Sequence, residues 1–576
     1  METKDWLVRA NQQIDTFVRA GGLGKDPFAQ VFEARRKAFS LFSQQLHDAE
    51  IEKMRRYIFN YDRLPTKPGD TPAKTPNLIA GEWVMAAKNE KMLNPGDRRI
   101  ALAEMPDSGP EEVDRALTYA FEYWKSLKWT DDTLAYRKQV VKNFSRILNY
   151  YYEECLTEIR VQIPKTRLEA DKDFWEGKRA ADHLEGSAER AMLGEIVPTM
   201  IEGHTYWKNK NLPAGVSAIF TPMNFIYGIP CIQFIGAYLV GAPFVLKGHP
   251  LSAIATTTMM RMLMAAGADP RMVQKIEGFG KGIESLVHDH RVAIVSVTGS
   301  DATAARMQSL RGVRPVRFEG GGCNWSYIDD GYSDEELQKI AIRLTYSKLG
   351  FSSHKCTTLH GIAASSAVLS KILPMINREM DEWKLGNPTA VPAEVTKIVG
   401  PCMVHKAQTA TDIQEAAEKI GAKVYRKGGR VTGGEYAENA EVIAPIILSN
   451  ATPDMTVKVN WDGRGEKEVN LMTTEFFMPI LVTSEMKSFS DFMNFCVNIN
   501  HHDLAVSIWS RSDVLLSKAR KVLGGMVKEN DGTDSALEWE EFGASGVGTS
   551  GNMGVGDPEA TFAIYSRRQK GRHVVF

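Results

Sequence analysis

The chain has 576 residues, with 70 Lys+Arg against 71 Asp+Glu for a formal charge of -1, and 43% of its residues are apolar. That length exceeds what one hydrophobic core organises, so two or three domains are expected, and no basic stripe or charge block offers a surface to nucleic acid. The six cysteines (Cys155, Cys231, Cys323, Cys356, Cys402, Cys496) contain no C-x-x-C pair, which argues against zinc held by paired thiolates and for free thiols in a reducing compartment.

The first residues, Met1 to Gln13, carry charges where a secretory signal needs an apolar core, so the cytoplasm is the expected location. Leu7, Ala10, Ile14, Phe17 and Val18 fall on one helical face, and Phe28 to Tyr61 is rich in helix formers. Gly21-Gly-Leu-Gly-Lys25 lacks the leading glycine and the closing Ser/Thr of a phosphate loop and reads as a helix break. Residues 63–77 hold four prolines in a polar, extended stretch, taken as a linker between a helical extension (1–77) and the main body. Asn211 to Leu246 is free of charge and long enough for a membrane helix, but Pro213, Pro222, Asn224, Pro230 and several glycines cut it into short pieces.

From Pro213 short apolar runs alternate with helical patterns. Strands are expected at Gly215–Phe220, Phe244–Leu246, Met272–Ile276 and Val292–Val297. Helices are expected at Cys231–Val240, Ser252–Ala266, Ile283–His288 and Asp301–Leu310. This is the rhythm of an α/β domain with a parallel sheet covered on both faces, which binds ligands at strand C-terminal ends. After Glu319 a second α/β unit begins. Ser333-Asp-Glu-Glu336 is a capping box, Leu337, Ile340, Ala341 and Leu344 share a face, and Gly350 stands where a helix-ending glycine belongs. Phe351-Ser-Ser-His-Lys-Cys356 follows, then further alternation at Thr358–Ala364, Val368–Trp383, Val424–Tyr425, Val442–Leu448 and Ile480–Val482.

Taken singly, the polar residues have bland readings. Cys356 lies just past a helix in a polar setting where a neighbouring cation would favour thiolate, yet most lone cysteines are simply packed. Glu319 precedes Gly320-Gly-Gly322, where backbone can approach a ligand closely; Asn224 is equally a turn residue. Thr298-Gly299-Ser300 forms a strand-turn-helix junction suited to phosphate, although one glycine is weak evidence. His288-x-His290 and His501-His502 lack a third ligand at metal spacing and read as solvated, and Met259 to Met264 as core packing on a helix.

Their joint order is more telling. Leu78-Ile-Ala-Gly-Glu-Trp83, Asn94-Pro95, Pro213-Ala-Gly-Val216, Thr221-Pro-Met-Asn-Phe225, strand-Lys247, strand-Thr298-Gly-Ser300, Glu319-Gly-Gly-Gly322, Cys356, Thr474-Glu-Phe-Phe-Met-Pro479 and Phe542-Gly-Ala-Ser-Gly546 together resemble the aldehyde dehydrogenase superfamily from about Leu78 to the C-terminus. The resemblance implies a Rossmann-type cofactor domain (78–320, with a bridging element near 190–212), a catalytic domain (321–530) and a glycine-rich loop with oligomerisation tail (531–576). It implies a homodimer or homotetramer. Carried over residue by residue, Cys356 is the nucleophile, Glu319 the general base and Asn224 an oxyanion donor. Lys247, Glu475 and Phe477 line the cofactor, with Thr298, Gly299 and Ser300 facing the dinucleotide.

Departures from the family pattern sharpen the expectation. Lys247-Gly-His-Pro250 lacks the carboxylate that usually grips the adenosine ribose, which favours NADP over NAD and makes His249 an additional donor. Ser353-His354 replaces Gly-Gln, Met478 replaces a glycine, and Glu319 lies 37 positions before Cys356. Lys355-Cys356-Thr357 and the long spacing resemble NADP-dependent semialdehyde dehydrogenases of aromatic ring cleavage, which act on CoA-linked substrates, or glutamate-semialdehyde dehydrogenases. The expected reaction oxidises an aldehyde, in particular a semialdehyde, through a Cys356 thioester that water hydrolyses. Two rivals are a CoA-acylating dehydrogenase, against which a retained Glu319 argues, and a non-catalytic protein keeping the fold. No metal, nucleic acid or membrane partner is expected.

Overall fold

The computed structural model describes residues 54–126, 134–192, 195–198, 204–403, 406–434, 439–536, 540, 542–552 and 554–574. The amphipathic face around Leu7 to Val18, the Gly21 loop and most of the helix-forming stretch from Phe28 lie outside them. Residues 54–58 are helical, and Ile58 and Phe59 are buried, Phe59 lying edge-on to Tyr61 and Tyr151. The proline-rich stretch is largely exposed from Thr66 to Thr71, but its final residues enter the body. Ala73–Lys74 pairs in parallel with Asp97–Pro106, Thr75 N donates to Glu104 O, and the buried Asn77 amide donates to Ser108 Oγ at 2.8 Å. Proline prevents helix here, and the extended backbone that remains finds a strand to pair with.

Two seven-stranded sheets carry the architecture. The first comprises β1 (Asn77–Ile79), β2 (Glu82–Val84), β3 (Val216–Phe220), β4 (Phe244–Lys247), β5 (Val273–Lys275), β6 (Val292–Thr298) and β7 (Val316–Glu319), in the order β7-β6-β3-β4-β5-β1-β2. The five strands from β3 to β7 pair in parallel, and the Leu78–Trp83 motif is an antiparallel hairpin, β1-β2, turning through Ala80 and Gly81 at φ 54° and 83°. Val-Ser-Ala-Ile-Phe of β3 is buried at every position, as a strand covered on both faces must be.

Helix α1 (Pro110–Ser126) packs on one face. The uncharged stretch becomes β3, the wholly buried α5 (Gly228–Val240) and β4, and Gly241 at φ 87° ends α5. Among the described residues no helix is long and apolar enough to cross a membrane. The methionine run lies on α6 (Ala253–Ala265), with Met259, Met260 and Met262 fully buried. Between α1 and α5 come α2 (Leu134–Tyr150), α3 (Tyr152–Gln162) and α4 (Arg167–Met192), and α4 packs along α5.

The second sheet comprises β8 (Asn324–Ile328), β9 (Leu359–Ala364), β10 (Lys423–Arg426), β11 (Ile446–Ser449), β12 (Ile480–Glu485), β13 (Ala505–Trp509) and β14 (Met526–Glu529). Their order is β10-β11-β12-β9-β8-β13-β14, all parallel except β10. The single strand expected over Val442–Leu448 is two, Ile443–Ala444 and β11, broken at Pro445, which has no N–H to give a ladder. Backbone of Glu195–Pro198, His204–Pro213 and Ser566–Val574 forms a third, three-stranded antiparallel sheet.

Candidate active site

Parallel strands deliver their C-terminal ends to one edge, and register decides which residues meet there. Thr221 N, just past β3, donates to the carbonyl of Lys247 at the end of β4, while Thr298 and Glu319 are register partners at the ends of β6 and β7. Gly299 N donates to Glu319 O at 3.0 Å. Ser300 caps helix α7 (Asp301–Arg311), its hydroxyl accepting from Thr303 N. Buried Thr221 Oγ1 and Gln233 Oε1 have no hydrogen-bond partner among the described residues, although Gln233 Nε2 donates to Thr298 Oγ1 at 2.8 Å. Unsatisfied polar atoms at such an edge suit a bound dinucleotide.

Helix α8 (Asp334–Leu349) opens on the expected Ser333/Glu336 capping box. Its closing glycine is different from expectation: Gly350 has φ -55°, and the three residues after it, Phe351, Ser352 and Ser353, are left-handed at φ 55°, 54° and 65°. Each such non-glycine residue costs about 1 kcal/mol or more. Side-chain contacts hold them. Phe351 N donates to Glu169 Oε1 at 2.5 Å, and its ring stacks on Phe225 with centroids 5.1 Å apart. Ser352 Oγ accepts from Gly400 N at 2.7 Å, and Ser353 Oγ donates to Lys348 O at 2.6 Å. The turn delivers half-buried Cys356, whose carbonyl accepts from Asn324 Nδ2 at 2.7 Å.

The Phe225–Phe351 stack also sets the Asn224 turn against the Cys356 loop. That turn is fixed by buried Asp173, which accepts from the backbone N–H groups of Ile226, Tyr227 and Gly228 and pairs with Lys165 at 3.0 Å. Asn224 itself is buried.

The glycines after Glu319 are explained by what they touch. A Cβ on Gly321 would lie 2.1 Å from Glu475 Oε2, and one on Gly322 2.5 Å from the Cys356 carbonyl oxygen. The segment therefore passes closely over both residues, which only glycine permits. Buried Glu319 accepts from Gly554 N at 2.8 Å, and a Cβ on Gly543 would meet its Oε1 at 2.5 Å, so the late glycine-rich loop closes over the carboxylate. Glu475 Oε1 accepts from Gly322 N at 3.3 Å, and burial raises its pKa to about 7. Phe477 is left-handed at φ 55°, which leaves Met478 in ordinary backbone where the family pattern has glycine.

The leading fields at the Cys356 thiol come from carboxylates rather than from the neighbouring cation that the sequence context allowed. Lys355 points to Asp534 at 2.9 Å, and burial, with the fields of Glu475, Glu319 and Glu176, pushes the thiol well above its ordinary value. Adjacent residues along a turn point different ways, so sequence proximity misled here. His249 Nδ1 accepts from Leu251 N, and burial and Lys247 hold the ring's pKa at about 3; its remaining nitrogen, Nε2, is the donor. Glu176 on α4, Asn324 and Asp173 escaped the sequence reading because no short motif marks them. Among the described residues no group of three His, Cys, Asp or Glu side chains has metal-binding geometry.

The model of the aldehyde dehydrogenase family matches residues 83–569. The malonate-semialdehyde dehydrogenase 2 of Oceanobacillus iheyensis is 23% identical over 476 residues, 81% of this chain and 91% of that one. The crystal structure of methylmalonate-semialdehyde dehydrogenase from Oceanimonas doudoroffii has a TM-score of 0.77 at 20% identity, covering 87% of this chain and 98% of that one. A putative methylmalonate-semialdehyde dehydrogenase from Sinorhizobium meliloti, complexed with NAD, has the same score at 18% identity over 88% and 99%. The chain belongs to the aldehyde dehydrogenase family. It is an enzyme that oxidises an aldehyde with a nicotinamide cofactor.

Proposed function

We propose that the protein oxidises a semialdehyde to the carboxylic acid, with Cys356 as nucleophile, Glu319 as general base and Asn224 as oxyanion donor. The observation that carries this reading is the glycine bridge: Glu319-Gly-Gly-Gly322 runs directly from the end of β7 over Glu475 and the Cys356 carbonyl. Cys356 Sγ, as thiolate, adds to the aldehyde carbon, and the Asn224 amide with the Cys356 N–H receives the oxyanion, a donor of this kind contributing about 3 kcal/mol. The bound cofactor supplies the hydride acceptor. Glu319 then takes a proton from water, the hydroxide adds to the thioester, and its collapse releases the acid and Cys356. Hydrolysis is favoured over acyl transfer to coenzyme A because the carboxylate is retained and enclosed by its own loop.

Lys247, Thr298, Gly299, Ser300, Glu475 and Phe477 would hold the dinucleotide, with NADP preferred over NAD. Pro250 offers no carboxylate to a ribose. At the same edge Lys247 and Lys275 face the single carboxylate of Glu277, to which Lys275 Nζ pairs at 2.8 Å, so formal charge favours a 2′-phosphate. The first sheet is assigned to cofactor binding, the second to catalysis, and the three-stranded sheet to contact between subunits of a homodimer or homotetramer. A semialdehyde panel with NAD or NADP, with and without coenzyme A, followed at 340 nm and repeated with Cys356→Ala, tests the scheme. Coenzyme A-independent turnover that vanishes in Cys356→Ala is expected; strict dependence on coenzyme A would establish the acylating enzyme instead.

A further inference from the structure

We propose that Asp534 and Thr533, in the loop after β14, are positioning residues that clamp the peptide on either side of Cys356, Asp534 also cancelling the charge of Lys355. The inference rests on the reading of Cys356 as nucleophile. Asp534 Oδ2 pairs with Lys355 Nζ at 2.9 Å, with the two side chains 3% and 9% exposed. Its other oxygen receives Arg343 Nη1 from α8 at 2.7 Å, and Arg343 Nε reaches Asp531 at 2.6 Å. Burial opposes the charge on Asp534, yet Lys355, Arg343 and Lys172 hold its carboxyl well below the usual range, with Tyr346, Glu169 and Asp171 further titratable groups of the same cluster.

Thr533 Oγ1 donates to the Thr357 carbonyl at 2.8 Å and lies 3.2 Å from Ser347 Oγ. Asn324 Nδ2 holds the carbonyls of Cys356 and Thr358 at 2.7 and 2.9 Å. Three successive carbonyls and the preceding side chain are thus fixed, and with them the direction of Sγ and of the Cys356 N–H. The strained Phe351–Ser353 turn fixes the loop from one side only. The clamp supplies the other, from a different strand. Because Lys355 is neutralised in place, the charges that reach the thiol are the carboxylates Glu475, Glu319 and Glu176.

The test compares Asp534→Asn, Thr533→Val and Thr533→Ser in the full chain. It measures kcat, aldehyde KM and, without cofactor, the pH dependence of iodoacetamide labelling at Cys356 read by peptide mass spectrometry. Thr533→Val is expected to lower kcat about tenfold with KM little changed, and Thr533→Ser to restore it, since a small misplacement of the reacting atom costs this much. Asp534→Asn is expected to lower kcat similarly while speeding labelling at pH 7.5 about tenfold, because unneutralised Lys355 lowers the thiol pKa by about one unit. A merely structural role would not raise labelling while turnover falls. Wild-type kcat in Thr533→Val overturns the proposal, also where Asp534→Asn does not fold, and so does an unchanged labelling profile in folded Asp534→Asn. Activity surviving in Cys356→Ala would instead overturn the nucleophile assignment.

Discussion

Gly321→Ala and Gly322→Ala differ by one position and should fail in different ways. At Gly322 the new Cβ meets a backbone oxygen, that of Cys356, at 2.5 Å, and Asn324 Nδ2 at 2.8 Å. Relief to the 3.0 Å limit of real contacts needs about 0.5 Å of movement, and ordinary contact at 3.4 Å needs about 0.9 Å. That movement falls on the peptide bearing Cys356, the proposed nucleophile, and a displacement approaching 1 Å costs up to about 100-fold in rate. At Gly321 the obstacle is the end of a side chain, Glu475 Oε2 at 2.1 Å, which rotates away at the expense of whatever it holds. Steady-state kinetics at 340 nm, with thermal melts to verify folding, should show kcat reduced between about 10- and 100-fold in Gly322→Ala with cofactor KM nearly unchanged. Gly321→Ala should mainly raise cofactor KM. Identical defects in the two variants, or wild-type kcat in folded Gly322→Ala, would refute the argument that the glycine bridge sets the nucleophile.

Glu319→Gln should keep the hydride-forming half of the reaction and slow thioester hydrolysis, giving a burst of about one reduced cofactor per site and then a rate at least about 100-fold lower; a proportional loss of burst and steady state would contradict the general-base role. Without cofactor, Cys356 labelling should climb with pH through pH 9 without a plateau, because burial and three carboxylates raise the thiol pKa; a plateau near pH 7 would contradict this. Glu158, wholly buried and accepting from the hydroxyls of Tyr61, Tyr227 and Thr258, has its pKa raised to about 7 by burial. A raised folded-state acid favours the native state below its unfolded pKa and loses that advantage as pH rises through about 7. Glu158→Gln should therefore gain stability at pH 8 relative to pH 5, by at most about 3 kcal/mol; denaturant melts showing no pH-dependent difference would exclude it.

The first sheet was legible because its central strands are apolar: Val216–Phe220, buried throughout, and Val292–Thr298, buried at four of seven positions, are short and separated by helices of clear period. Helices α2 to α4 were not, because buried Glu158, Gln162, Glu169, Asp173 and Lys178, each partnered by groups outside this set, blur the apolar stripe. Within the site, the roles proposed for Cys356, Glu319 and Asn224 rested on motif order. The partners that shape their surroundings did not show. Asp173, Asn324 and Asp534 each hold several partners distant in sequence through hydrogen bonds or ion pairs, and such pairings leave no local pattern. The pairing of Lys355 did not show for the same reason: its partner lies 179 positions away.

The stretch from Ile58 to Tyr61 precedes the family match, which begins at residue 83, yet it is structurally inside the enzyme. Phe59 wedges against Tyr151, the Tyr61 hydroxyl donates to Glu158, and Arg261 on α6 reaches the carbonyl of Tyr57 while its guanidinium covers Trp83. A protein trimmed to the family boundary would leave a buried carboxylate short of a donor and an aromatic-sized hollow beside α2 and α3. The folded unit therefore includes Tyr57 to Tyr61 and is longer than its family signature.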